Sequence, residues 1–150
     1  MEIISKIFEF DFAVLVPDLT PLLERIPDIV RYAVLAGPAL LLAIGLVYLL
    51  IPPKEANRRM GFRTYFGMGS VEAWRYTQKL AGLAFGVLGL VLLVVMLIVS
   101  AGFAGKDQQQ MVELAAKCLI WQAALALVAR LAVGVLAAVF FDRNGNRRRK

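Results

Sequence analysis

Long uncharged stretches alternate with short charged ones along this chain. Tyr32 to Ile51 is twenty residues without a charge. At about 1.5 Å per residue it reaches about 30 Å, the thickness of a bilayer's hydrocarbon core. Pro52-Pro53 stops it, and Pro38 inside it predicts a bend of the kind membrane helices tolerate. A second uncharged stretch runs from Leu80 to about Ala104, with Gly102 and Gly105 marking its end. A third runs from about Leu119 to Phe141 and carries one charge, Arg130. The pattern predicts an all-α membrane protein with three transmembrane helices, at 32–51, 80–104 and 119–141, and a motif-bearing loop over 52–79.

The N-terminal thirty residues follow a different pattern. Leu19, Leu22, Leu23, Ile26, Ile29 and Val30 recur at helical spacing, with Glu24, Arg25 and Asp28 on the other side. Ile3, Ile4, Ile7 and Phe8 form a second such face. Thr20 suits an N-cap with Pro21 at the first helical position, and Pro27 predicts an interruption or kink. The stretch is too short and too charged to span. Residues 1–30 therefore read as an interfacial amphipathic helix region lying on the membrane, and residues 31–150 as the three-span domain. The chain opens with acid and lacks a basic n-region, which argues against a cleaved signal peptide.

Composition agrees with a membrane protein. The chain is 60% hydrophobic, whereas a globular domain is about 45–50% apolar. A single cysteine, Cys118, excludes an internal disulfide and a Cys-based metal site, and it reads as a small apolar filler. The chain has no histidine, the commonest metal ligand and general base. The sequence offers no carboxylate pair in a span, no nucleophile with a base and no Gly-Lys phosphate loop. The expectation is a non-enzymatic protein with no cofactor and no metal.

Charge placement gives an orientation. Lys54, Arg58, Arg59, Arg63, Arg75 and Lys79 face Glu55 and Glu72 in the central loop. The tail has Arg143, Arg147, Arg148, Arg149 and Lys150 against Asp142. The first thirty residues hold only Lys6 and Arg25 against six acids, and the connection after the second span is nearly neutral. Basic loops stay in the cytoplasm, so three spans place the N-terminus outside and both the central loop and the C-terminus inside. The net charge of +6 thus flanks spans, where anionic lipids attract it, and does not indicate a nucleic-acid partner.

The central loop carries more turn chemistry than a connector needs. Arg63 suits bidentate pairing with a phosphate or carboxylate, and Thr64 suits a local backbone bond that fixes a turn. Ser70 fits an N-cap, with Glu72 in the first turn favoured by the helix dipole, so that a helix runs from there into the second span. Trp74 and Tyr76 fall at the membrane boundary, where an aromatic belt is the plainest reading. For Arg63 the plain reading is a topology signal.

The run from Gly61 to Gly82, GFRTYFGMGSVEAWRYTQKLAG, resembles the signature of the SdpI family of bacterial membrane proteins. The resemblance covers roughly Asn57 to Ser100. It rests on Gly61, Arg63, Thr64, Trp74 and Gly82, with Ser70 and Glu72 at comparable places. The family often has Pro after the Thr, where this chain has Tyr65. The resemblance implies an inner-membrane immunity protein that protects its host from a membrane-active peptide toxin and reports having done so.

Two features of the spans stand apart. Gly82 and Gly86 form a G-x-x-x-G with Gly89 one turn on, a spacing that predicts close helix packing within the monomer rather than across a dimer. Arg130 is an intramembrane charge that needs a partner. Glu113, seventeen residues away and about 25 Å along a helix, is out of its reach. The choices are backbone carbonyls, Gln122 two turns earlier, a snorkelling path, or another molecule. The last choice supports a different reading, an accessory subunit meeting other membrane subunits through Arg130 or the N-terminal helices. Transport is a weaker third, since one charge makes a poor pathway. Membrane lipids are partners on any of these readings.

Overall fold

The computed structural model describes residues 27–56 and 60–148. They form three helices: α1 (Pro27–Leu50), α2 (Val71–Ala101) and α3 (Gln108–Phe140). At 24, 31 and 33 residues they extend about 36, 46 and 50 Å, and each contains a window apolar enough to cross a bilayer. The chain is an all-α, multi-pass membrane protein.

The helices outrun the uncharged stretches. Pro27 is the first described residue of α1, and Asp28 follows in its first turn. Residues 27–30 thus belong to α1, and the rest of the expected interfacial segment lies outside the described residues. Helix α2 starts nine residues before Leu80 because Ser70 caps it, its side chain accepting from Ala73 N–H at 3.1 Å. It stops at Ala101, where Gly102 N–H reaches back to the carbonyls of Ile98 and Val99. Helix α3 starts eleven residues before Leu119. Its first turns bury Met111 and Ala115 against Val30, Val34, Met96 and Phe103, and Glu113 pairs with Lys117 on the exposed side. Charges delimit the apolar part of each helix, whereas caps and packing delimit the helix itself.

The tightest packing joins α1 to α2, backbone against backbone. A Cβ at Gly45 would stand 2.3 Å from Gly86 N and 2.9 Å from Gly82 O. A Cβ at Gly82 would stand 2.8 Å from Leu49 Cγ, and one at Gly89 2.4 Å from Leu42 N. The glycine row on α2 is therefore consumed inside the monomer. Small residues replace the hydrophobic drive that lipid removes.

Helix α3 is less enclosed, with 11% of its apolar window buried against 33% for α2, so most of its surface is left for lipid. One polar bond ties it to α1. Pro38 has no N–H to give the Val34 carbonyl, and Gln122 Nε2 donates to that carbonyl at 3.0 Å. Gln122 therefore serves the carbonyl that Pro38 leaves unmatched in α1, not Arg130.

Candidate functional site

The loop between α1 and α2 is built onto the bundle by side chains of α2. Trp74 and Gln78, one turn apart on α2, are both fully buried. Gln78 grips the backbone of Phe62 on both sides. Phe62 N–H donates to Gln78 Oε1 at 2.8 Å, and Gln78 Nε2 donates to the Phe62 carbonyl at 2.8 Å. The amide thus acts as a one-residue strand pairing, satisfying a buried donor and a buried acceptor that would each cost about 1–3 kcal/mol unpaired. Trp74 Nε1 donates to the Pro53 carbonyl at 2.8 Å, fixing the start of the loop. The aromatic-belt reading of Trp74 is therefore overturned: the ring is a floor for the loop and meets no lipid.

Gly61 lies on that floor. Its φ of +109° is open to glycine and strained for other residues, and a Cβ there would stand 2.6 Å from Trp74 Cζ2. Thr64 Oγ1 accepts from Gly67 N–H at 2.9 Å and closes the following turn. Phe62 is carried inward to Phe85, ring centroids 5.5 Å apart and edge to face. Phe85 is fourteen residues into α2, about 21 Å from its start, so the loop reaches well along the bundle. There Phe62 joins Ala81, Phe85 and Val133 in a buried cluster.

Arg130 meets the loop at this depth. Its Cζ stands 5.8 Å from the centroid of Phe62, a cation–π contact. Phe62, Arg63 and Thr64 on one side, with Arg130, Gly134 and Val135 on the other, line a single open groove of roughly 330 Å³. Arg63 and Arg130, 67 positions apart in sequence, share it. Gly82 lies apart from this groove, in the α1–α2 seam.

Ser70 and Glu72 belong to a neighbouring arrangement. Beyond α3 the chain turns through Asp142–Asn146 into a short hairpin, with Phe141 bridging Arg147. Gly145, at φ +76°, presses on the α2 start, where its Cβ would stand 2.4 Å from Ser70 N. Ser70 Oγ donates to the Gly145 carbonyl at 2.7 Å while accepting from Ala73, so one hydroxyl caps the helix and holds the tail. Glu72, Arg75, Lys79 and Arg147 line a second groove here beside Val71 and Phe141, and Tyr76 packs on Phe140 and Phe141.

Within the hairpin, Asp142 accepts from the N–H groups of Asn146 and Asn144, at 2.8 and 2.9 Å. These bonds, that of Asn146 first, hold its carboxyl below the usual value. A depressed carboxylate stabilises the hairpin fully above the unfolded value, about 3.9, and loses that support as pH falls through the lower folded value. Amide shifts of Asn144 and Asn146 followed by NMR in detergent micelles should stay constant from pH 7 to 5 and move only below about pH 4. Asp142→Asn should abolish that titration.

Gln78, Phe62 and Pro53 are absent from the candidates read from sequence. A glutamine between Arg75 and Lys79 looks like one more polar residue at a helix start. Its signal was its spacing, four after Trp74 and seven before Phe85, which puts it on the buried stripe.

The loop, α2 and α3 are also what the chain shares with a known family. The model of the SdpI/YfhL protein family matches residues 54–141, more than half of the chain. No curated protein and no solved structure matches it. The match begins one residue after the Pro53 carbonyl that anchors Trp74 and ends at Phe141, where the tail turns back. It therefore contains the Gly61–Trp74 floor, the Gln78 clamp and the Arg63–Arg130 groove, and on that match this chain belongs to the SdpI/YfhL family of membrane proteins.

Proposed function

We propose that this protein is a non-enzymatic immunity protein of the bacterial cytoplasmic membrane that protects its host from a membrane-active peptide toxin. The observation that carries the reading is the family match across the loop, α2 and α3. The orientation that goes with it is N-terminus outside, with loop and C-terminus in the cytoplasm. It is supported by the gathering of both basic segments at one end of the bundle, where Ser70 bonds Gly145. An external toxin then meets the spans or the outer ends of α1 and α3. The loop faces inward and reports to a cytoplasmic partner through Arg63 and Thr64.

Expression of the protein alone should let a sensitive bacterium survive a peptide toxin. Arg63→Lys keeps the charge and loses the fork, so it should impair reporting while sparing insertion and protection. In a Cys118→Ala background, a cysteine replacing the exposed Tyr65 should resist an impermeant thiol reagent in intact cells and react after lysis. Labelling in intact cells overturns the orientation. Absence of protection, together with a complex of fixed stoichiometry recovered in mild detergent, favours an accessory subunit instead.

A further inference from the structure

The geometry points to a binding site for an anionic phospholipid at the start of α2, its phosphate within reach of Arg75, Lys79 and Arg147 and one acyl chain lying along α2. These three cations line a single groove of roughly 470 Å³. Arg75 and Lys79 are one turn apart on α2, so their Cβ atoms are about 5–6 Å from each other. Arg147 comes from the tail hairpin. Its backbone pairs with Phe141, whose ring packs on Tyr76 with centroids 5.4 Å apart, and Tyr76 follows Arg75 directly. The hairpin thus carries Arg147 to the turn of α2 that holds the other two. All three are exposed, and among the described residues no carboxylate lies within ion-pair distance of any of them.

Glu72 is the acidic residue of the groove, about 10 Å along the helix from Lys79 on the side away from the apolar stretch. Three cations against one carboxylate leave the groove positive, most strongly at its Lys79 end. A headgroup with net negative charge is favoured there. A phosphocholine brings its own ammonium, which the same cations repel. Between the charges the lining is apolar, from Val71, Tyr76 and Phe141. A small anion gains from the charges alone, whereas an amphiphile gains from both.

The direction of the helix selects a lipid as the source of the phosphate. Lys79 is the last charge on α2 before the uncharged stretch from Leu80 to Ala104, which sets it at the level of the headgroups. Inward from it, Leu83, Val87 and Leu90 follow at steps of four, four and three residues, on one face of the helix. Each is more than half exposed. From Lys79 to Leu90 is about 16 Å, the depth of one leaflet. The apolar track thus begins where the charges end and runs from them toward the bilayer centre. The contacts of α1 fall on the glycine row of α2, so this face stays open to an acyl chain. The site does not depend on the immunity reading, because it uses only the groove and this stripe.

Native mass spectrometry of the full chain in a non-ionic detergent tests the site. Titration with phosphatidylglycerol should give a saturable one-to-one adduct, and phosphatidylcholine with the same acyl chains should not. Arg75→Gln, Lys79→Gln and Arg147→Gln should each weaken the adduct about fivefold, the loss expected for one basic residue near an anionic headgroup. Glu72→Gln should strengthen it. Arg143→Gln, on the same hairpin but outside the groove, should leave it unchanged. Thermal midpoints report folding. If Arg75→Gln unfolds, Arg75→Lys replaces it, with a loss of about twofold expected from the missing fork. Three results overturn the proposal. One is equal weakening by Arg143→Gln, which means diffuse charge. Another is displacement by glycerol phosphate at matched concentration, which means the apolar stripe contributes nothing. The third is absence of a lipid adduct where a glutamate-rich peptide binds, which makes the groove a site for an acidic protein partner.

Discussion

Alanine at Gly45 should drive α1 away from α2, whereas alanine at Gly86, which faces it, should leave the bundle intact. The two positions belong to one seam but differ in what a methyl group would meet. At Gly45 the new Cβ falls 2.3 Å from Gly86 N and 2.5 Å from Gly86 Cα, both backbone atoms of a helix that cannot yield locally. At Gly86 the nearest atoms are Gly45 Cα at 3.9 Å and Leu49 Cδ1 at 4.0 Å, ordinary contact distances. Overpacking costs about 1–3 kcal/mol where side chains can adjust, and a backbone clash belongs at the upper end or beyond. Alanine gains up to about 1 kcal/mol over glycine in a helix, which offsets little of this at Gly45 and makes Gly86→Ala neutral or mildly stabilising. Thermal unfolding in mild detergent, followed by helical circular dichroism, distinguishes the two. Equal midpoints for both variants would mean that the helices do not approach as closely as described.

The seam also shows what a sequence reveals about a membrane bundle. Gly82, Gly86 and Gly89 are visible as a small-residue row, and the row is a real contact. On α1 it meets Gly45, Leu49 and the backbone of Leu42, which form no small-residue motif. Pro38 is comparable. Its missing N–H implies a needy carbonyl at Val34. Only the three-dimensional arrangement brings Gln122 to it across 88 positions. Gln122 Oε1 is left buried without a partner, so this polar bond is incomplete.

The loop divides in the same way. Gly61, Thr64 and Ser70 announce themselves because turns and caps are local, with donor and acceptor three or four residues apart. Trp74 is conspicuous, yet its chemistry was misread, since amphipathic rings near a span boundary usually face lipid. Here an indole 21 positions on meets the Pro53 carbonyl instead. The C-terminal hairpin carried a local signal, Asn144-Gly145, which suits a tight turn. It was masked by the surrounding arginines, which read as a topology signal. Arg130 drew notice as a charge in an apolar run. Its contact with Phe62 depends on how far the loop reaches along α2, which no spacing encodes.

Replacing Gln78 by Leu should release the loop while leaving the three helices packed. The leucine is close in size and suits a helix, so α2 itself should persist. What is lost is the double bond to Phe62, leaving a buried N–H and a buried carbonyl without partners, about 1–3 kcal/mol each. The loop has other ties, through Trp74 to Pro53 and the Thr64 turn, but neither reaches the Phe62 backbone. The α1–α2 seam makes no use of Gln78 and should hold. Gln78→Glu gives a sharper result. A protonated glutamic acid can donate to the Phe62 carbonyl and accept from its N–H, reproducing the amide. An ionised one can only accept, and it buries a charge. Burial raises the folded pKa of that carboxyl. Its support for the loop should therefore be complete below the unfolded glutamate value, about 4.3, and be lost as pH rises through the higher folded value. Trp74 reports the state of the loop, since its buried ring becomes wet when the loop leaves. With the exposed Trp121 changed to Phe, emission should be red-shifted in Gln78→Leu at every pH. It should be native-like in Gln78→Glu only on the acid side. Unshifted emission in Gln78→Leu, or a Gln78→Glu variant indifferent to pH, would show that the amide does not hold the loop.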